Sequence, residues 1–470
     1  MEPQDTDPAT MLARRIALLA ISLTSFLTPF MASSVNIALP GIAEHFQVSA
    51  VLLSWVATAY SLATAVFLVP FGTLADIYGR KRIYILGIVL YSLASGLCAL
   101  APSGPALIAA RAGQGVGSAM IFGTGIAILT SIFPSEQRGQ VLGINTAAVY
   151  IGLSAGPFLG GLLVGQWGWR SVFWINVPLG GIALLVTLCK VRGEWAGSPG
   201  APFDLAGSAI YGIATVAAMY GLSLLPQPIG AWLILVGFAA GAAFVWQEGR
   251  IARPVLDLAL FRGHRTFTLS SIAALINYAA TSSVTFLLSL YLQYIKGMSP
   301  RQAGAVLIAQ PILMAIFSPL AGRLSDHIEP RLIASAGMAL TVVGLALLSA
   351  LGEDTGLAYI LGSLVILGLG FAFFSSPNTS AIMGSVERRY HGVASGMVGT
   401  MRLFGQMLSM GLAMLLFSLY MGRVQITPEY YGRFLQSVRT DWIISALLCL
   451  LGILASLARG RVQMPSMNRS

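Results

Sequence analysis

Two arginines stand inside otherwise apolar stretches of this chain. Arg111 lies about six residues into the run 106–131, and Arg402 about ten residues into the run 393–419. In a helix rising about 1.5 Å per residue, Arg402 would sit about 15 Å deep. An arginine at that depth costs several kcal/mol unless it faces water or a partner. Both are therefore candidates for a polar cavity, where a guanidinium would hold an anion or a neutral acceptor. A structural arginine bonded to backbone carbonyls is the alternative. A third group is Asp76, which ends another apolar run and precedes Arg80, Lys81 and Arg82. A carboxylate there can accept charge-assisted hydrogen bonds from arginine or cap a neighbouring helix N-terminus. Asn36, Tyr150, Asn277, Gln310, Asn378 and Gln406 are neutral polar residues within or at the ends of such runs. They could line the same cavity, or simply hydrogen-bond one helix to another.

Acids are missing from the middle of these runs. All seventeen Asp and Glu residues fall in the N-terminal tail, in loops or at run ends. Asp76, Glu136 and Asp441 are thus only peripheral candidates for carrying a proton. The three cysteines (Cys98, Cys189, Cys449) are scattered within or at the ends of runs, and the four histidines read as loop or boundary residues. No metal site, cofactor or disulfide framework is implied, and no His/Asp/Ser cluster supports a membrane enzyme.

The elements that position these groups follow from composition. Of 470 residues, 56% are apolar and 9% are charged, against about 25% charged in soluble domains. Such a chain suits lipid as its solvent. The formal net charge of +10 does not point to nucleic acid, because the basic residues occupy short loops between apolar runs. Crossing the hydrocarbon takes about 20 residues. Fourteen spans are expected, at 16–38, 51–71, 83–101, 106–131, 141–165, 172–190, 206–225, 229–247, 267–291, 302–321, 332–350, 357–377, 393–419 and 440–459. The first follows Arg14-Arg15 and is about twice as long as a signal-peptide core, so it reads as a retained span. With the N-terminus cytoplasmic, 19 loop Lys and Arg fall inside and 6 outside, as the positive-inside rule requires. Both termini are then cytoplasmic. Residues 253–265 mix charge and apolar groups over too short a length to span, and read as an interfacial segment.

The chain also repeats itself. Gly72-Thr73-Leu74-Ala75-Asp76 and Gly322-Arg323-Leu324-Ser325-Asp326 stand 250 positions apart, each after an apolar run with a proline just upstream. Arg138-Gly139-Gln140-Val141-Leu142-Gly143 resembles His391-Gly392-Val393-Ala394-Ser395-Gly396 at an offset of 253, which sets Gly152 opposite Gly405. The repeat shift is eight spans. Two six-span halves, 1–190 and 266–470, are therefore separated by two additional spans within 191–265. Parallel repeats place a substrate cavity between the halves near the bilayer midplane.

These residues resemble the major facilitator superfamily, in its fourteen-span drug:proton antiporter branch, over nearly the whole chain. Gly72, Asp76, Gly79 and Arg80, within the run to Arg82, match its loop signature between spans two and three. Leu107, Arg111, Gln114, Gly115 and Gly117 resemble its fourth-span arginine motif. Gly152, Gly156, Pro157, Gly160 and Gly161 match its fifth-span antiporter motif. Val35-Asn36-Ile37-Ala38-Leu39-Pro40 is similar to the end of its first span. The resemblance implies an all-α integral membrane protein with two pseudo-symmetric six-helix bundles plus two extra helices, working by alternating access. It implies a monomer that exports small molecules in a bacterial-type inner membrane, with Asp76 and Asp326 in a conformational lock. On physical grounds, the glycines remove side chains from one helix face and Pro157 breaks a backbone bond. Close packing, sealing or bending would each follow.

The chain departs from that branch at Met31, where drug-exporting relatives usually carry an aspartate. Export of amphipathic compounds against proton inflow is the branch's default. The alternative is export of anionic or neutral metabolites, with Arg111 and Arg402 as anion sites and the membrane potential as driving force.

Overall fold

The computed structural model describes residues 8–191, 193–197, 199, 200, 202–251, 265–325, 327–386, 391–422 and 424–459. The expected interfacial segment 253–265, apart from Arg265, lies outside them, as does Asp326. The described residues form helices and no strand. In order they are α1 (Pro8–Phe46), α2 (Ala50–Tyr78), α3 (Arg80–Ala99), α4 (Gly104–Ile132), α5 (Ser135–Trp167), α6 (Ser171–Trp174) and α7 (Asn176–Lys190). Next come α8 (Leu205–Leu224), α9 (Pro228–Glu248), α10 (Arg265–Thr281) and α11 (Ser283–Leu290), which continues into a π-helical turn at Tyr291–Ile295. The rest are α12 (Pro300–Leu307), α13 (Ala309–Ser325), α14 (Pro330–Ser349), α15 (Leu357–Gly384), α16 (His391–Tyr420) and α17 (Tyr431–Ala458). Fourteen stretches are long and apolar enough to cross a membrane. Helices satisfy most of their backbone internally, as lipid demands. Ser49, Ser103, Asp204 and Ser299 accept the orphan N–H groups that begin α2, α4, α8 and α12.

The span count agrees with the hydropathy reading, but the ends do not. The last span was expected to begin at residue 440; α17 begins at Tyr431. Arg433, Arg439 and Asp441 lower the local hydropathy, so a reading by composition cuts the helix short. Asp441 is buried, half-buried Arg439 donates to Leu351 O, and exposed Arg433 lies over the Tyr430 ring, so each has a setting that composition does not show.

The described residues divide into two compact units. Unit 1 gathers 1–256, 285–308 and 417–434; unit 2 gathers 257–284, 309–416 and 435–470. Within unit 1, α1 packs on α5, and α4 lies between α2 and α3. The additional helices α8 and α9 pair with each other, and α8 docks on α2, where the Tyr211 hydroxyl donates to Ala65 O at 3.0 Å. Within unit 2, α15 packs on α13 and α14.

The duplication recurs in the packing. A Cβ at Gly117 would meet the backbone of Tyr91 and Gly87 on α3, and one at Gly370 would meet Thr341 and Gly337 on α14. Gly87 and Gly337 are 250 positions apart, the offset of the loop signatures. Gly115 approaches Tyr60 O, and Gly368 approaches Gln310 O; that second pair of partners is again 250 apart. Backbone approach without a side chain is the small-residue packing that lipid-embedded helices use.

Candidate functional site

The first loop signature folds around Gly79. Its φ of +114° suits glycine, and a Cβ there would lie 2.5 Å from the Glu194 carboxyl carbon. The turn sets Asp76 and Arg80 one helical step apart. Arg80 Nε donates to Asp76 Oδ1 at 2.7 Å, while Nη1 donates to Ala127 O (3.2 Å) and Ser131 Oγ (2.9 Å) on α4. Gly72 lies where α2 passes Gly123 of α4, which a Cβ on Gly123 would approach to 3.4 Å. Glu194, one of the acids outside the apolar runs, has a role here that its sequence neighbours do not mark. Glu194 accepts from the Lys81 N–H at 2.8 Å, pairs with Arg82 at 3.7 Å, and thus sits on the N-terminus of α3. An acid at a helix N-terminus complements the helix dipole.

Arg111 is fully buried in unit 1. Its Nε donates to Val56 O at 2.9 Å and Nη1 donates to Gln114 Oε1 at 2.5 Å. Gln114 passes the chain on to Ser95 Oγ at 2.7 Å, which donates to Tyr91 O. The guanidinium lies 4.6 Å from the centre of the Tyr60 ring. No carboxylate pairs with it among the described residues, and Nη2 has no hydrogen-bond partner there. Hydrogen bonds, a backbone carbonyl and an aromatic face hold this charge. Met31 is fully buried, and its Sδ accepts from Asn176 Nδ2 at 3.2 Å.

The other expected cavity residues fall apart into separate settings. Asn36 and Tyr150 are half-buried in unit 1, and Asn36 O accepts from Ser289 Oγ at 2.7 Å. Arg402 and Gln406 are half-buried on α16 in unit 2, on either side of the buried Gly405. Gln310 is buried on α13, where its backbone meets Gly368. Asn277 reaches Cys449 Sγ at 4.0 Å. Asn378 is committed to a buried cluster: its Nδ2 donates to Ser270 O at 3.0 Å, and Oδ1 accepts from Arg459 Nη1 at 2.7 Å. Burial, the larger effect, draws the Arg459 guanidinium below its ordinary pKa, against the nearby Glu329 carboxylate. Arg459 stands at the end of the expected run 440–459, and only its tertiary neighbours mark it.

One expectation is overturned outright. Asp441, assigned to a span end, stands at the eleventh residue of α17 with 1% of its surface exposed. Guanidinium groups are therefore not the only deep charges. Oδ2 accepts from the Ser283 hydroxyl at 2.9 Å, and Oδ1 has no partner among the described residues. Glu136 remains outside the described side chains.

The fifth-span glycines seat α5 against two helices. Cβ atoms at Gly152, Gly156 and Gly160 would strike Phe26 O, Ser33 Cβ and Ser34 Cβ on α1. One at Gly161 would lie 2.5 Å from Pro300 O, and Gly304 of α12 lies just as tightly against Pro157 O. Residues from both sequence repeats thus meet inside unit 1. Nearby, Pro40, Glu44, Gln47, Gln293, Tyr294 and Gln425 contribute to a cavity of about 430 Å³, within the size range of small-molecule sites.

Comparison with known proteins agrees with this architecture. Residues 21–246 and 270–467 match the Major Facilitator Superfamily. The chain is 36% identical to multidrug resistance protein Stp of Mycobacterium tuberculosis over 83% of its own length and 73% of the relative's. It is 30% identical to riboflavin transporter RibZ of Clostridioides difficile, covering 93% and 96%. Among solved structures, a bacterial homologue of the lysosomal transporter Spinster, crystallised inward-facing and unoccupied, superposes with a TM-score of 0.71. That match has 18% identity and covers 95% and 97% of the two chains.

Proposed function

This chain belongs to the major facilitator superfamily, and from that premise we propose that it exports small amphipathic molecules by alternating access, driven by the proton gradient. The observation that carries the reading is the similarity to a multidrug resistance protein, joined to the fifth-span glycine–proline run packed at backbone distance. The Asp76–Arg80 pair, tied to α4 and approached by Gly197, suits a latch that is made in one state and released in another. The excess of Lys and Arg in alternate loops supports two cytoplasmic termini. A monomer in a bacterial inner membrane, acting without cofactor or nucleic acid, completes the proposal.

A second reading is export of neutral or anionic metabolites. It draws on the similarity to a riboflavin transporter and on Met31 standing where a cationic drug would be expected to meet an acid. Proteoliposomes with an imposed pH gradient separate the two. Ethidium accumulated against its own gradient supports the first reading. Movement of riboflavin without ethidium replaces it with the second, and movement of neither removes both.

A further inference from the structure

We propose that Asp441 is the proton-binding group of this transporter, acting through Ser283 at the break between α10 and α11. The inference rests on the proton-driven reading above and names the residue that carries it. Asp441 is the only acid on the described helices of unit 2. It stands two residues short of the midpoint of the span Pro428–Ala458. A charge so placed is costly unless it is paired, and here one serine hydroxyl is its only hydrogen-bond partner among the described residues. One turn further along α17, the Ser445 hydroxyl is likewise buried and unpaired. A neutral carboxylic acid and an ionised carboxylate can both be accommodated, with different partners.

No fixed charge competes for this carboxyl. On α17 the flanking titratable groups are Arg439, whose Nε donates to Leu351 O at 2.6 Å, and Cys449, which reaches Met338 O at 4.0 Å. Helix α10 carries Arg265 and Tyr278, and α14 carries Arg331. Helix α16 carries His391, Arg402 and Tyr420. None forms an ion pair with Asp441 among the described residues.

Ser283 ties the carboxyl to a second helix, α16. Helix α10 ends at Thr281 and α11 begins at Ser283. The Ser283 N–H, freed by that break, donates to Ser409 Oγ at 2.8 Å, while its hydroxyl holds Asp441. The chain leaves unit 2 for unit 1 after Val284, one residue on. The interruption is one residue long: the Ser282 N–H still donates to Tyr278 O at 3.1 Å, and Arg265–Ile295 runs as one span. In the cycle, one proton from the outer medium joins the Asp441 carboxylate, giving a neutral acid and a changed bond to Ser283. After the switch it leaves to the cytoplasm and restores the carboxylate, so one proton enters per turnover; with a monovalent cation such as ethidium exported in exchange, no net charge moves.

The test uses the full-length protein in lipid. Infrared difference spectra stepped in pH should show a carboxylic-acid carbonyl band that disappears in Asp441→Asn and returns, displaced, in Asp441→Glu. In proteoliposomes, Asp441→Asn should lose at least tenfold of ethidium accumulation driven by a pH gradient while keeping downhill ethidium exchange, which also shows that it has folded. Ser283→Ala should shift the pH midpoint of transport. Accumulation at the wild-type rate by Asp441→Asn would overturn the proposal. If the wild type itself fails to accumulate ethidium, the export reading falls, and the infrared band alone decides: no Asp441-dependent titration rules the site out.

Discussion

Replacing Gly161 by alanine tests whether the fifth-span glycines act through backbone contact. The new Cβ would lie 2.5 Å from Pro300 O and 3.2 Å from Arg301 Cα. Relaxed contact begins near ~3.5 Å, so α5 and α12 must separate by about 1 Å. The obstacle is a carbonyl in the first turn of another helix, which cannot rotate away as a side chain would. Overpacking of this kind costs about 1–3 kcal/mol, and alanine recovers up to about 1 kcal/mol through helix propensity. The net is about 1–2 kcal/mol against the packed arrangement, roughly a 5- to 30-fold change in a two-state ratio. Gly143 and Gly181 are the controls, since a Cβ at either meets nothing within 4 Å; alanine there should be neutral or stabilising. Melting in detergent and ethidium flux would be measured for all three variants. Should Gly161→Ala melt no lower than Gly181→Ala, with unaltered flux, the close-contact reasoning is wrong.

Three further outcomes are expected. Gln114→Leu removes the acceptor of Arg111 Nη1, a charge-assisted bond worth about 1.5–3 kcal/mol; melting should fall, and Arg111→Met in the same chain should recover part of the loss. A double variant no more stable than the single one would count against the network. Asp76→Asn breaks a pair whose side chains are 21% and 43% exposed, so stability should change by less than about 1 kcal/mol, while transport drops severalfold as Arg80 loses its anchor; unchanged transport argues against a latch. A permeable maleimide should label the exposed Cys189 and spare the buried Cys98 and Cys449 until the protein is denatured. Prompt labelling of Cys449 would contradict the packing of α17 on Asn277.

Much of the fold was legible because its signals are local. Runs of apolar residues reveal spans, loop charge suggests orientation, and glycines spaced by three or four mark faces where helices approach. Even the duplication could be read, since Gly72 and Gly322 keep both residue type and distance. The site was less legible. Hydropathy placed Asp441 at the end of its span, because neighbouring arginines dilute the apolar signal. Glu194 looked like an ordinary loop acid, and nothing in its surroundings in sequence points to α3.

The sequence by itself determined a fourteen-span membrane transporter with repeated halves, because the cost of exposing backbone and charge to lipid is set residue by residue. Tertiary structure alone decided which polar atoms are satisfied. Arg111 finds Val56 O 55 positions away, and Ser283 meets Asp441 across 158. Desolvation of a charge depends on what surrounds it in space, so only the packed helices separate the held guanidinium of Arg111 from the nearly unsupported carboxyl of Asp441.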